Sequence, residues 1–301
     1  GRCTVLRRGK CIGTVNVDET DENTLTQMMV GRVISLQKNK GETLPGGTVL
    51  RIENLSVTGA RGTEAVSGFS LEVRSGEIVG IAGVDGNGQS ELIAAITGLL
   101  PVKSGRIMLH GKDITKEGIR RRNESGIGYV PEDRHKYGLV LDFRLDENLI
   151  IKSYRREPYS NGAGFLRFDV IETYAEKMID QFDIRAGKGP ATPVKSMSGG
   201  NQQKVIIARE LDLSPDLLIV SQPTRGLDVG AIEYIRRRIV EERDKGRAVI
   251  LVSYELDEIL ALCDRIVALS KGIVTGIVDR KDADERKIGR MMAGIAAEEA
   301  P

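Results

Sequence analysis

The stretch "GIAGVDGNGQSELIAAITG", residues 80–98, decides the fold of this chain. It runs from an apolar strand through a glycine-rich turn into a helix. The spacing of the glycines before Ser90 matches a phosphate-binding loop, in which backbone amides at a helix start hold phosphate. Gln89 stands where such a loop carries lysine, so a point charge on the phosphates is lost. We expect binding that is weakened rather than excluded.

The residues predicted to line this loop share its turn and the first turn of the following helix. They are Gly83, Asp85, Gly86, Asn87, Gly88, Gln89, Ser90 and Glu91.

The segments around the loop alternate between strands and helices, as α/β proteins do. Strands of an edge sheet are predicted at 49–57 and 69–73, and helices at 167–182 and 202–211. Apolar, β-branched runs, typical of a parallel sheet buried on both faces, occupy 77–83, 216–222, 247–254 and 265–270. The predicted fold class is α/β with a helical insertion.

Composition limits the partners and the compartment. The chain has 301 residues, of which 40% are hydrophobic and 29% are charged, which predicts a globular protein. Lys and Arg number 44 against 43 Asp and Glu, so no bulk basic field attracts nucleic acid. No segment resembles a signal peptide, and no apolar run approaches the roughly 18 residues of a membrane span. The three cysteines have no metal-ligand spacing, and we expect a reducing, cytoplasmic location.

The start of the chain repeats its end at a constant offset of 263 residues. "RCTVLRRGKCIGTV" (2–15) lies over "RIVALSKGIVTGIV" (265–278), and "MMVG" (28–31) lies over "MMAG" (291–294). The register holds without a gap, which coincidental similarity between two hairpins explains poorly. Residues 1–34 are therefore predicted to be the C-terminal tail of a preceding copy, so that the parent protein is a tandem.

Domain boundaries and the role of two cysteines follow from this alignment. Residues 35–47 are polar and rich in Gly and Pro, without a helical or strand period, and are predicted to be a linker. Residues 48–301 form the complete domain, with a helical subdomain at about 140–212. Cys3 and Cys11 face apolar residues of the second copy and are predicted to fill a core.

A second stretch, "KSMSGGNQQKVIIARELDLSPDLLIVSQPTRGLDVGA" at 195–231, carries an ordered set of motifs. A Ser-Gly-Gly turn opens an amphipathic helix, an apolar strand follows, and "RGLD" comes next. With the first loop, this set resembles the ATP-binding domain of ABC transporters over about residues 50–294. "MSGGNQQK" with "PEDR" and "QPTRGLDVGA" is typical of tandem-domain ATPase subunits of simple-sugar and nucleoside importers. "PEDRHKYGLVLDF" is most similar to the nucleoside branch.

The resemblance implies a P-loop NTPase of the ABC type, with a mixed central sheet, an antiparallel β subdomain and a helical subdomain. In such ATPases two domains pack head to tail, and each ATP lies between the phosphate loop of one and the signature motif of the other. The signature here would serve the site of the preceding copy, with Asp228 of the D-loop at the same interface. The signature residues are Ser198, Gly199, Gly200, Asn201 and Gln202.

The resemblance also implies cofactors, partners and a location. The cofactors are ATP and Mg²⁺, mainly in the partner domain's site, with a weak metal contact at Ser90. The partners are the preceding nucleotide-binding domain, transmembrane permease subunits and, indirectly, an extracellular solute-binding lipoprotein. The protein would lie on the cytoplasmic face of the cell membrane.

Several positions depart from the family pattern in the same direction. Ser221 replaces the Walker B aspartate that holds Mg²⁺, and Gln222 replaces the glutamate that acts as general base. Tyr254 replaces the switch histidine, and Glu132 replaces the Q-loop glutamine. No aromatic residue stands near 57–58, where adenine usually stacks. We expect that this domain's own site is degenerate and that the chain alone hydrolyses little or no ATP.

Two other functions compete with the role of importer subunit. A soluble tandem ABC ATPase of translation or DNA repair would be expected to show basic arms or a long inserted helix pair, and none appears. A pure interaction module would bind no nucleotide. His110 and His135 have no ligand spacing and are predicted to be surface or turn residues.

Overall fold

The computed structural model describes residues 1–7, 10–21, 24–25, 28, 41, 44–60 and 62–295. The strands of this part are β1 (Arg2–Arg7), β2 (Lys10–Asn16), β3 (Thr48–Thr58), β4 (Glu64–Arg74), β5 (Ile78–Ala82), β6 (Ser104–Leu109), β7 (Lys112–Asp113), β8 (Ile127–Val130), β9 (Leu217–Ser221), β10 (Ala248–Ser253), β11 (Arg265–Ser270) and β12 (Ile273–Asp279). The α-helices are α1 (Gln89–Thr97), α2 (Ile119–Glu124), α3 (Leu145–Ile150), α4 (Phe168–Gln181), α5 (Gly199–Asp212), α6 (Val229–Asp244), α7 (Leu256–Leu262) and α8 (Glu285–Met292).

The central sheet has the strand order β12-β11-β5-β10-β9-β8. Its strands are parallel except β12, which runs antiparallel to β11. A separate antiparallel sheet has the order β4-β3-β6-β7. The structure therefore confirms the predicted α/β fold with a mixed central sheet and an antiparallel β subdomain.

Two hydrophobic cores lie on opposite faces of the central sheet. Successive residues of β9 alternate between them: Leu217 and Ile219 pack with the antiparallel sheet, and Leu218 and Val220 pack with the helices. Side chains of a strand point to alternate faces, so a continuous apolar run requires cover on both. This is why the apolar runs of the sequence became the inner strands.

The amino-terminal hairpin copies the carboxyl-terminal one residue for residue. β1 pairs with β2 from Arg2 opposite Asn16, and β11 pairs with β12 from Arg265 opposite Asp279, the same register at the offset of 263. Each ladder also shifts register at the same point, after four residues of its first strand. The predicted hairpin is confirmed, and the preceding domain itself stays a prediction.

The segment after each hairpin is capped in the same way. The Asp21 carboxylate accepts the Thr24 amide at 2.6 Å, and the Asp284 carboxylate accepts the Lys287 amide at 2.7 Å. Thr24, with residues 25 and 28, has helical backbone. The rest of the short helix predicted at 24–30, and most of the linker predicted at 35–47, lies outside the described residues.

The prediction that Cys3 and Cys11 fill a core is wrong for this chain. Cys3 is partly exposed and Cys11 is exposed, whereas Cys263 is buried. The counterpart of Cys3 is fully buried Ile266, which lies on β11 against β5. Within the described residues, β1 pairs only with β2, so nothing covers its other edge. The side chain of Leu6 is accordingly 68% exposed.

Helix boundaries differ from the predicted ones by a few residues. α1 ends at Thr97 because Gly98 takes the left-handed conformation, with φ of 83°, that ends many helices. α5 begins at Gly199 because the Ser198 side chain caps it. Among the described residues, no helix is long and apolar enough to cross a membrane.

Candidate nucleotide site

The glycine loop and the residues predicted at the metal, base and switch positions lie at the carboxyl end of the central sheet. β5, β10, β9 and β8 are neighbours and parallel, so the segments that follow them converge on one edge. β5 leads into the glycine loop and β10 into Tyr254. β9 ends at Ser221 and Gln222, and β8 leads to Glu132.

Close backbone packing fixes the glycine loop. Gly86 and Gly88 have φ of 84° and 97°, in the region that favours glycine. A Cβ on Gly88 would lie 2.2 Å from the Ala65 carbonyl oxygen, so no other residue fits without movement. The Asn87 side chain accepts the Lys271 amide at 3.0 Å, which ties the loop to the β11–β12 turn. The loop is thus held open at the start of α1, where unpaired amides bind anions.

Gln89 points back into the loop. Its side chain is 1% exposed, and neither its Nε2 nor its Oε1 has a hydrogen-bond partner among the described residues. A Cβ on Gly83 would lie 2.5 Å from Nε2, which places the amide directly over that glycine. A buried amide with neither group satisfied is costly and calls for a ligand or an ordered water.

Two carboxylates stand beside the loop. Glu132 accepts the Ser90 hydroxyl at 3.5 Å through one oxygen and pairs with Arg225 at 2.9 Å through the other. Asp85 accepts the Tyr254 hydroxyl at 2.9 Å. Burial raises the pKa of Tyr254, and its bond to Asp85 and the charge on Glu132 raise it further. The tyrosine therefore acts as a neutral donor to a carboxylate.

The positions predicted to hold the metal ligand and the base carry neutral side chains. Ser221 is 5% exposed and Gln222 is 6% exposed. Burial raises the pKa of Tyr129 to about 12, against the opposing effect of its hydrogen bond to Ser221. Gln222 has φ of 48°, a strained value for this residue type, and its Oε1 accepts the Tyr254 amide at 3.3 Å. Neither side chain takes up a proton at neutral pH.

These residues do not fit Mg²⁺. Ser221 stands where the ABC pattern has a carboxylate, and the Glu132 and Asp85 carboxylates are engaged by Arg225 and by the Tyr254 hydroxyl. Mg²⁺ is usually held by one or two protein carboxylates together with phosphate oxygens. Within the described part of the chain, no cluster of His, Cys, Asp and Glu could hold a metal ion.

The predicted signature motif lies apart from this loop. Ser198 is exposed at the start of α5, where its Oγ accepts from the Asn201 amide at 3.4 Å and from Nδ2 at 2.9 Å. A Cβ on Gly199 would meet the Arg134 guanidinium at 2.9 Å, and one on Gly200 would lie 3.6 Å from Asp228. In the part of the chain that the structure describes, no hydrogen bond joins 83–91 to 198–202.

Two signature residues are engaged inside this domain. Gln202 is 5% exposed; its Nε2 donates to the Val194 carbonyl at 3.1 Å and its Oε1 bonds to His135 at 2.9 Å. Asn201 accepts the Arg185 amide at 2.9 Å. The sequence reading missed the partner of His135 because the two residues are 67 positions apart. Within the Ser-Gly-Gly turn, Ser198 is exposed, Gly199 is partly exposed and Gly200 is buried.

Comparison with known sequences agrees with this geometry. The model of the family described as ABC transporter matches residues 66–225, more than half of the chain. The chain is 50% identical over 293 residues to the nucleoside import ATP-binding protein NupA of Lactococcus lactis, covering 97% of this chain and 58% of that protein. It is 48% identical over 299 residues to the guanosine import ATP-binding protein NupO of Bacillus subtilis, covering 99% and 58%.

Other similar proteins support the same fold and show how much of them the chain spans. The glucose import ATP-binding protein TsgD13 of Haloferax volcanii is 42% identical, with 97% of this chain and 53% of that protein covered. The chain thus spans little more than half the length of these relatives. Among solved structures, a nucleotide-free ATP-binding cassette of an ABC transporter superposes with a TM-score of 0.66 at 23% identity, covering 82% of this chain and 96% of that one. CbiO1 of Clostridium perfringens gives 0.63 at 26%, covering 78% and 89%. The chain belongs to the ABC transporter family.

Proposed function

We propose that this chain is the second nucleotide-binding domain of a tandem ATP-binding subunit of an ABC importer. The observation that carries the proposal is the amino-terminal hairpin, which repeats the register of β11 and β12 at the offset of 263 residues. A domain tail at the start of the chain requires an earlier domain copy. The relatives are longer than this chain, which covers 58% of the length of two of them.

The two faces of the domain have different roles in this proposal. The loop at 83–91 is a degenerate site, because Gln89, Ser221 and Gln222 supply neither a cation nor a base. The Ser-Gly-Gly turn at Ser198 completes the ATP site of the preceding domain, with Asp228 beside it. Its exposed hydroxyl and helix-start amides are suited to a phosphate that arrives from another domain.

The assembled protein hydrolyses ATP with Mg²⁺ in the site held mainly by the preceding domain, where the metal would screen the phosphate charge. The proposed partners are that domain, transmembrane permease subunits and, indirectly, a solute-binding lipoprotein. The location is the cytoplasmic face of the membrane, as a peripheral subunit. The printed names of the relatives favour nucleosides as the imported solutes.

Hydrolysis by this chain alone tests the degenerate site. We expect ATP turnover no faster than in buffer, because Gln222 stands at the position expected to hold the general base. The measurement is phosphate release from purified chain with ATP and Mg²⁺. Robust turnover that disappears in Gln222→Ala would show that this site is catalytic and would overturn the proposal.

A simple-sugar importer is the second candidate, since similar proteins are named for glucose and ribose import. Uptake of labelled nucleosides and sugars by cells with and without the complete subunit separates the two. A nucleotide-free interaction domain is the third candidate. Titration with a fluorescent nucleotide analogue separates it from the first two.

A further inference from the structure

We propose that the degenerate loop binds a nucleoside diphosphate in preference to the triphosphate. This inference rests on the proposed function only in taking 83–91 as a phosphate site that does not turn over. It adds the class of ligand that the site selects, and two features support it: donors for phosphate at the start of α1 and carboxylates beside them.

The end of the loop at α1 is built for phosphate. Gly88 is the N-cap residue of α1 and carries no side chain. Gly86 has open space where a Cβ would stand. The buried Gln89 amide, without a partner among the described residues, lies over Gly83. Its Nε2 group offers two neutral donors to a phosphate oxygen. A phosphate here would accept hydrogen bonds from the Gln89 Nε2 group and from the helix-start N–H groups.

Acidic side chains border the same helix start. The Glu132 Oε2 atom lies 3.5 Å from the Ser90 hydroxyl, in the first turn of α1. The Asp85 carboxylate is bonded to a neutral tyrosine and has no cation against it in the described structure. A third phosphate group would add negative charge beside Glu132 and Asp85, with no lysine at position 89 to offset it.

Arg225 weakens this repulsion without removing it. Its guanidinium pairs with the Glu132 Oε1 atom, the carboxylate oxygen that does not contact Ser90. The Arg225 side chain is 67% exposed, so water screens its charge further. The pair therefore still disfavours the more highly charged ligand.

The test is equilibrium binding of ADP and ATP to this chain in EDTA, so that no divalent ion screens the carboxylates. We expect ADP to bind at least roughly tenfold more tightly than ATP. Glu132→Gln should narrow this ratio, because it removes the carboxylate that faces the loop. Arg225→Gln should widen it, because it exposes the same carboxylate. Glu124→Gln, which breaks a solvent-exposed pair with Arg120 on α2, is the control and should leave the ratio unchanged.

Equal affinities, tighter binding of ATP, or no binding of either nucleotide would overturn the proposal. A ratio that shifts in the same direction in Glu132→Gln and Arg225→Gln would also overturn it, because the two substitutions are expected to shift it in opposite directions. Loss of folding would weaken the binding of ADP and ATP alike and leave their ratio unchanged. None of these results touches the proposed role of the signature turn. Hydrolysis by the chain would instead contradict the proposed function, so the two failures are distinguishable.

Discussion

Gly88 carries the tightest backbone constraint of the phosphate loop. It combines a left-handed φ of 97° with a carbonyl oxygen 2.2 Å from the place of a Cβ. Gly86, two residues earlier, has a similar φ of 84° and open space around it. Substitutions at these two glycines therefore separate the free-energy cost of the left-handed conformation from that of a steric clash.

Gly88→Ala should destabilise the chain more than Gly86→Ala. Gly86→Ala has only the left-handed penalty, about 1–2 kcal/mol, whereas Gly88→Ala must also displace Ala65 on β4. We expect the additional loss to be at least about 1 kcal/mol. Urea unfolding curves for the two variants provide the comparison, and equal midpoints would show that the loop does not pack against β4 as described.

Glu210 joins three elements beneath the site. It is fully buried on α5, where it accepts the Tyr129 amide of β8 at 3.0 Å, the Lys152 ammonium at 2.6 Å and the Arg209 guanidinium at 3.0 Å. Burial alone would raise its pKa, but Lys152 and Arg209 outweigh burial and the pKa is lowered. The helical region is thereby fixed to the strand that leads into Glu132.

Glu210→Gln should cost about 3–5 kcal/mol of unfolding free energy at pH 7, because it leaves buried Arg209 and partly buried Lys152 without their counter-charge. A carboxyl with a lowered folded-state pKa stabilises the protein above the ordinary glutamate pKa of about 4.3 and loses that contribution as pH falls below it. The difference in unfolding free energy between wild type and variant should therefore shrink in acid. Denaturation at pH 7 and at roughly pH 3, well below the ordinary glutamate pKa, measures it; a gap that is constant or grows in acid contradicts the ion-pair account.

The amino-terminal hairpin has the register of a strand pair that belongs to a larger sheet. β11 pairs with β5 on one side and β12 on the other, whereas β1 has β2 alone in the described structure. In a tandem protein, the free edge of β1 would receive a parallel strand of the preceding domain. That strand would bury Cys3 as β5 buries Ile266.

Alkylation of the cysteines tests this arrangement. Cys3 should react in this chain and be protected in the complete tandem protein, because a strand of the preceding domain would cover it there. Cys11 should react in both proteins, and buried Cys263 in neither, so the two serve as internal controls. Mass spectrometry of short labelling reactions reads out each site. Equal labelling of Cys3 in both proteins would show that the hairpin does not belong to a preceding sheet.

Sequence patterns located the local features and missed the contacts across the fold. The loop, the strand ends and the Ser-Gly-Gly turn were predictable because each is a continuous run with its own spacing. The pair between Arg225 and Glu132 was not, since 93 positions separate them and neither has a distinctive neighbourhood. The inward position of Gln202 was missed for the same reason: family position alone does not say which way a side chain points.

At the scale of the whole molecule, the Ser198 hydroxyl is exposed, and in the described structure no hydrogen bond joins its turn to the loop at 83–91. Neutral side chains stand at Gln89, Ser221 and Gln222. From these features together we expect the domain to act on a nucleotide held elsewhere. We propose that Ser198 and Gly199 serve the ATP site of the preceding domain.

The most direct measurement is ATP turnover by the complete tandem subunit, assembled with its membrane subunits, carrying Gly199→Asp. The added carboxylate has room to fold, since only the flexible Arg134 guanidinium stands against it, but it would repel the phosphate of the partner site. Gly118→Asp places a carboxylate at the start of α2, where nothing lies within 4 Å, and is the matched control. We predict that Gly199→Asp lowers turnover by at least roughly tenfold, with a smaller loss of ATP affinity, and that Gly118→Asp does not. Wild-type turnover in Gly199→Asp would contradict the claim.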